Sequence, residues 1–374
     1  MSMTYIHLQK KWPEFTWDQD QLTPLLERVH LKQGRLIGKI EGLGFDLRDE
    51  AVLQNLTEDV IKSSEIEGEK LDRNQVRSSI ARRMGMDVAG LVRSDRDIEG
   101  VVEMMMDATH NYKQALSSKR LFDWHAALFP TGRSGMTKIT IGNWRNDSDG
   151  PMRVVSGPVG REKIYFEAPK AKLLNNEMKL FLSWFNKKKS TDSILKAAVA
   201  HLWFVTIHPF DDGNGRITRA ITDMLLARSE DSSKRFYSMS AQICIERNKY
   251  YAVLEKTQKG TLDITEWIIW FLNCMERSLQ NSDKILSSVL KKAKFWEIHA
   301  NQTFSERQRK LINRLLDGFE GNMTSSRWAN IGKCSQDSAA RDIQDLIKMK
   351  IIKKNQGGGR STSYSLLDFK EEKL

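Results

Sequence analysis

The chain has 374 residues, 40% hydrophobic and 29% charged, which excludes a disordered polymer and leaves room for two or three domains, a compact enzyme with a smaller appendage. No run of about 18 apolar residues occurs and none follows the lysines of MSMTYIHLQKKW, so neither a membrane span nor a secretion signal is expected. Cys244, Cys274 and Cys334 lack any CxxC spacing, which speaks against a disulfide framework or zinc site and suits a reducing cytoplasm, while the net charge of +11 asks for an anionic partner without naming it.

Three parts follow in chain order, 1–112, 113–300 and 301–374, all mainly helical. In the first, LTPLLERVHLKQGRLIGKI and IEGVVEMMMDATHNYKQAL carry apolar residues at helical spacing, with Leu22, Leu25, Leu26 and Val29 as one core-facing stripe and Met104 to Met106 as further core. Between Thr131 and Pro169 that period fails. Turn formers crowd into GNWRNDSDGP and SGPVG beside β-friendly KITIG and MRVVSG, which predicts a β-hairpin flap. Helices resume with KAKLLNNEMKLFLSWFN and with SILKAAVAHLWFVTI, which is apolar on every side and so predicts a central buried helix. The last part reads as short helices, Ser305 to Gly318, RWANIG and QDSAARDIQDLIKMK, then strand, GGGR turn and strand, the pattern of a winged helix.

Directly after the buried segment comes HPFDDGNGRITRAITDMLLAR. Pro209, Gly213 and Gly215 break one helix and let the backbone approach a ligand, and ITRAITDMLLAR starts another. Amides of Gly213, Asn214 and Gly215 would point from that helix's N-terminus at an anion. Arg216 and Arg219 lie three apart on one face and can reach the same polyphosphate. Asp212 is suited to Mg²⁺, which commonly takes one or two carboxylates plus substrate phosphates.

This segment resembles the Fic signature HxFx(D/E)GN(G/K)RxxR at every defined position: His208, Phe210, Asp212, Gly213, Asn214, Gly215, Arg216 and Arg219. The resemblance, covering roughly 50–277, implies a Fic helical core with a hairpin flap and transfer of AMP from ATP to a Ser, Thr or Tyr hydroxyl of a protein, itself included. His208 would be the general base, Asp212 the Mg²⁺ ligand and Phe210 a buried anchor. His201 is read as a packing residue. Upstream, Ser63, Glu67 and Gly68 in IKSSEIEGEKLDR match the family's (S/T)xxxE(G/N) inhibitory helix, which implies that Glu67 pairs with Arg219 and holds activity low. Flap residues Val154, Val155, Ser156 and Gly157 would border the nucleotide, and Tyr250, Tyr251 and Gln258 its adenine side.

Two other functions are open: removal of AMP from a modified protein, and a DNA-binding regulator with an accessory Fic core. In 301–374, 14 Lys and Arg face 9 Asp and Glu, and the candidate recognition helix carries Asp337, Asp342 and Asp345, so DNA is not favoured. Protein docking, including homodimer formation, fits that part at least as well.

Overall fold

The computed structural model describes residues 5–41, 45–86, 92–148, 150–156, 161, 163–187, 192–316, 321–355 and 362–367. The expected flap residue Gly157 and the GGGR wing tip lie outside these. The chain forms two units, Met1–Asp283 and Lys284–Leu374.

In the first unit, α1 (Gln19–Glu41) buries Leu22, Leu26, Val29, Gln33, Leu36 and Ile40, steps of three or four residues that keep one stripe inward. Next come α2 (Phe45–Ile66), α3 (Arg73–Arg83), α4 (Arg96–His110) and α5 (Ser118–Leu128). Side-chain caps start two of them: Asp72 accepts from the Gln75 amide before α3, and Ser117 from the Arg120 amide before α5. Met104, Met105 and Met106 of α4 are all buried.

Two antiparallel hairpins interrupt the helices, β1 (Arg133–Ser134) with β2 (Thr137–Lys138) and β3 (Arg153–Ser156) with β4 (Lys163–Glu167). Val154 pairs with Phe166 and Val155 with Ile164, an irregular step that marks a bulge. Then follow α6 (Leu174–Asn186), α7 (Ser193–Ile207), α8 (Asn214–Glu230), α9 (Met239–Ile245), α10 (Arg247–Gln258) and α11 (Thr265–Ile298).

Because α7 has no polar face, it sits at the centre, with Ala197 through Ile207 all buried, and α8 packs along it. Its one ring nitrogen pair is fully used. His201 meets Thr222 Oγ1 at 2.9 Å and Tyr250 Oη at 3.1 Å, tying α7 to α8 and α10. α2 is fixed to the same frame by a buried polar cluster, in which Asp59 accepts from Ser238 Oγ and from the Ser240 amide at 3.2 Å. Beside it Arg235 pairs with Asp223 at 3.2 Å.

The expected division near residue 112 does not separate two bodies, because α2 packs on α8 and α9. The second boundary falls at 283/284 rather than 300/301, since α11 runs unbroken to Ile298 and its Phe295 belongs to the second core.

The second unit adds α12 (Glu306–Leu316), β5 (Met323–Thr324), α13 (Ser325–Gly332), α14 (Gln336–Lys348), β6 (Ile352–Lys354) and β7 (Ser363–Leu366). Its sheet has the order β5-β7-β6, antiparallel throughout. Phe295, Leu311, Trp328, Ile343 and Leu346 form the core. Asp342 is not on the outer face of α14, as the sequence count assumed. It is buried and accepts from Arg307 Nε at 2.5 Å and Nη2 at 2.8 Å, whereas Asp337 and Asp345 are exposed.

Burial pulls the His201 imidazole down to about 3, helped by the Arg219 charge. Its folded pKa therefore lies below the unfolded value of about 6.5, so the unfolded chain binds the proton first and stability is lost as pH falls from about 6.5 toward 3, by about 1.4 kcal/mol per unit. Melting temperatures measured from pH 7 to pH 5 should fall less steeply for His201→Gln than for the unaltered chain. Equal slopes would show that His201 is not a buried neutral imidazole.

Candidate functional site

α7 ends at His208, in the left-handed conformation with φ 51 and ψ 60, and its amide still donates to Phe204 O at 3.0 Å. Pro209 lacks the amide that would continue the helix. Phe210 then turns fully inward and lies flat on the His125 ring, 4.3 Å away at 8°, beside Trp144. The Asn214 side chain clasps the turn, accepting from the Phe210 amide at 3.0 Å and donating to Phe210 O at 2.8 Å. Gly213 (φ 79) closes it and starts α8, where the Ile217 amide, bonding Gly213 O at 3.0 Å, is the first to find a helical partner. Asn214, Gly215 and Arg216 thus present main-chain amides at a helix N-terminus. The Asn214 side chain is engaged in this clasp, which leaves its backbone amide as the group available to an anion.

A residue that the sequence pattern did not single out holds this loop from behind. Arg145, in the turn-rich stretch, has a fully buried guanidinium that donates to His208 O at 2.8 Å, Pro169 O at 2.5 Å and Asp147 Oδ1 at 2.9 Å. Its amide donates to Pro209 O at 2.9 Å. A single buried arginine among polar turn formers leaves no periodic trace, so only a partner count could have found it.

His208 Nδ1 lies 3.3 Å from Val205 O, an acceptor, so Nδ1 carries the hydrogen and Nε2 keeps its lone pair. Burial drives this imidazole down to about 4, with the Arg145 charge adding to the effect and Glu67 and Asp212 opposing it. At neutral pH it is an uncharged acceptor, held there by its surroundings rather than by the ordinary value of about 6.5.

Asp211 and Asp212 have different duties. Asp211 accepts from the Thr140 amide at 2.8 Å, and so braces the segment after β2. Asp212 accepts from the Gly213 amide at 2.5 Å and from the Ser134 hydroxyl of β1. Both Asp212 oxygens keep a lone pair free, which suits a cation shared with phosphates. Among the described residues no cluster of three His, Cys, Asp or Glu forms a complete metal site.

Arg216 and Arg219 of α8 are buried, and each is met by a carboxylate from just past the end of α2. Arg219 donates to Ser63 Oγ at 2.8 Å, Ser63 O at 2.7 Å and Glu67 Oε1 at 2.8 Å, while its Nη1 has no partner among the described residues. Burial alone would lower its pKa; Glu67, Tyr250 and Tyr251 more than offset this and leave it raised. Arg216 donates to Glu69 Oε2 at 2.7 Å and lies over the Phe129 ring. Glu69 was not singled out in the sequence.

The reason α2 can deliver these groups is its termination. Gly68 adopts φ 89, its amide bonds Glu65 O at 3.0 Å, and the Glu69 amide bonds Ser64 O at 3.0 Å, the two bonds of a Schellman cap. Gly68 therefore serves by ending the helix, not by touching the site. Glu67 also sits against Gly215: a Cβ there would lie 2.0 Å from Glu67 Oε1.

The remaining sequence-selected residues divide. Val154 and Ser156 lie on β3, and Val155 with its cross-strand partner Ile164 is exposed. On α10, Tyr251 is 39% exposed and its hydroxyl is 3.5 Å from Ile66 O, so it borders the end of α2. Tyr250 is buried with its hydroxyl on His201. Gln258 is buried too, and donates to Thr206 Oγ1 at 3.2 Å. Both pack α10 on the core rather than present a polar edge, because the helix turns those positions inward.

The Fic/DOC family profile matches residues 115–226, and that of a domain of unknown function, DUF4172, matches 5–86. Among similar curated proteins, protein adenylyltransferase fic-1 of Caenorhabditis elegans is 25% identical over 282 residues, 71% of this chain and 51% of that one. Protein adenylyltransferase Fic of Aedes aegypti is 35% identical over 104 residues, 27% of this chain and 19% of that one. The chain thus spans about half of the first relative and a fifth of the second. A Fic family protein from Desulfovibrio desulfuricans G20 shares the fold with a TM-score of 0.53 at 18% identity, over 96% of this chain and 99% of the other. A Fic domain containing signaling protein from Bacteroides thetaiotaomicron gives 0.52 at 17%, over 71% and 97%.

The cap on α2 has a measurable cost of disruption. No atom lies within 4 Å of where a Gly68 Cβ would be, so Gly68→Ala carries backbone strain alone, about 1–2 kcal/mol. Urea melts should show that loss, and a smaller one for Gly68→Asn, since asparagine tolerates the left-handed region. An unaffected Gly68→Ala protein would mean that the helix ends some other way.

Proposed function

Because residues 115–226 form a Fic domain, we propose that the chain transfers AMP from ATP to a hydroxyl side chain of a protein and is autoinhibited by Glu67. One observation carries the reading: a neutral imidazole with Nε2 uncommitted stands beside a helix N-terminus and two buried arginines. That arrangement supports in-line displacement at phosphorus. The target oxygen forms a bond to the α-phosphorus and its proton passes to His208 Nε2. The bond from the α-phosphorus to the bridging oxygen breaks, and pyrophosphate leaves. Amides 214–216, Arg216 and Arg219 stabilise the charge spread over the phosphoryl oxygens.

Asp212 would hold Mg²⁺, which when bound supplies charge neutralisation between the phosphates. ATP and a protein with an exposed Ser, Thr or Tyr are the partners, and the exposed edges of β3 and β4 support backbone pairing with that protein. A cytoplasmic setting belongs to the same proposal; among the described residues no helix is long and apolar enough to cross a membrane. We read 284–374 as a winged helix, supported by its order of helix, strand, two helices and hairpin. The internal pairing of Asp342 removes one of the three carboxylates counted against DNA, but Asp337 and Asp345 still flank Arg341 and Lys348 on the exposed side of α14.

Transfer of label from α-labelled ATP with Mg²⁺ should vanish in His208→Ala while its melting curve shows a folded protein. The rate should fall with acid at a midpoint below the ordinary histidine value of about 6.5, because burial holds His208 low. A midpoint at or above 6.5, or robust transfer by His208→Ala, would remove His208 from the base role.

Productive binding of the γ-phosphate must displace Glu67 from Arg219, a charge-assisted contact worth roughly 1.5 to 3 kcal/mol. Glu67→Gly should therefore raise transfer by about one to two orders of magnitude, and should do nothing in an Arg219→Ala background. A drop in transfer with Glu67→Gly would favour the opposite reaction, removal of AMP with Glu67 acting on water.

A further inference from the structure

We propose that the inhibitory segment has a second contact: Glu69 occupies Arg216 as Glu67 occupies Arg219, so the phosphate site is closed by two carboxylates. This rests on reading Arg216 and Arg219 as a polyphosphate site. Glu69 itself lies one residue beyond the pattern that marked Glu67. The Schellman cap fixes Glu69 through its amide bond to Ser64 O, and left-handed Gly68 between the two carboxylates splays them in different directions. They land on arginines three apart, on one face of α8.

The Arg216 side chain is only 4% exposed, its ionic partner among the described residues is Glu69 at 2.7 Å, and its Nε has no hydrogen bond there. A buried guanidinium with one carboxylate and an idle nitrogen is a cation poised to exchange that carboxylate for an anion that satisfies more of its donors. Glu69 is the exchangeable partner, since its side chain is 45% exposed and can swing into water. The negative groups around it, Asp212, Glu67 and Asp97, give it no reason to stay once a phosphate arrives; burial, its largest influence, and these neighbours push its carboxyl above the usual range despite Arg216.

Removing Glu67 alone thus opens one of two positions. A purely architectural Glu69, holding Arg216 in its productive pose, requires the reverse, since removing it would then weaken the site.

Binding of tripolyphosphate and of ATP to the full chain, followed by calorimetry without any transfer step, separates the two. Glu69→Gln should tighten tripolyphosphate by about three- to tenfold, and Glu67→Gly with Glu69→Gln should bind more tightly than Glu67→Gly alone by a similar factor. Affinity equal to or below that of the unaltered protein, in a variant with an unaltered melting curve, overturns the proposal. If Glu69→Gln does not fold, Glu69→Asp, which keeps the charge but shortens the reach, decides by the same comparison. Tighter binding in Glu69→Gln with no AMP transfer by any variant would remove the transferase reading and leave the second contact standing. Transfer by Glu67→Gly with binding unchanged in Glu69→Gln would do the opposite.

Discussion

The capture of Arg219 by the end of α2 is the contact around which the molecule is organised. Three hydrogen bonds from one guanidinium reach a hydroxyl, a helix-terminal carbonyl and a carboxylate, all within five residues of α2. A helix C-terminus is the negative end of its dipole, so the arginine is drawn to the helix as well as to Glu67. Everything else keeps the two helices in register: the Asp59, Ser238 and Ser240 bonds hold α2 from below, and His201 locks α8 to α7 and α10. The same contact that joins these helices occupies the cation assigned to the nucleotide in the function proposed above. On that function, stability and inhibition would be one interaction seen from two sides.

Burial sets the electrostatics of the site in a consistent direction. His125, His201 and His208 all lie behind or within the loop, and burial, the largest cause in each, pulls all three imidazoles down, to between about 3 and 4. An uncharged ring can stack, as His125 does on Phe210, or accept a proton, as His208 can. The cationic charge is left to the arginines, which cannot give it up. Depth does not separate the two kinds of group, since Arg216 and Arg219 lie as deep as His125 and His201; side-chain chemistry under the same burial leaves the guanidiniums charged and the imidazoles neutral.

Much of this was legible in the sequence, and the rest was not for identifiable reasons. The buried helix α7 announced itself by having no polar side, the dense motif after it carried enough fixed positions to mark the loop and the arginines, and the separate upstream segment IKSSEIEGEKLDR marked Glu67. Arg145 escaped because its role is set by carbonyls from distant segments, His208 and Pro169. Glu69 escaped because the motif stops one residue short of it and its partner lies 147 positions away. Tyr250, Gln258 and Asp342 look polar in sequence, yet each faces inward to a partner that only the packed helices supply. The strand β5, two residues long, is too short for any periodic signal.

The seat of Glu67 against Gly215 brings together two residues far apart in the chain. With only 2.0 Å between the carboxylate oxygen and the place where a Cβ would stand, a side chain at position 215 requires the Glu67 carboxylate to move. The same Cβ would stand 3.2 Å from Arg219 Nη1, so a residue larger than glycine at 215 crowds both partners of the ion pair at once.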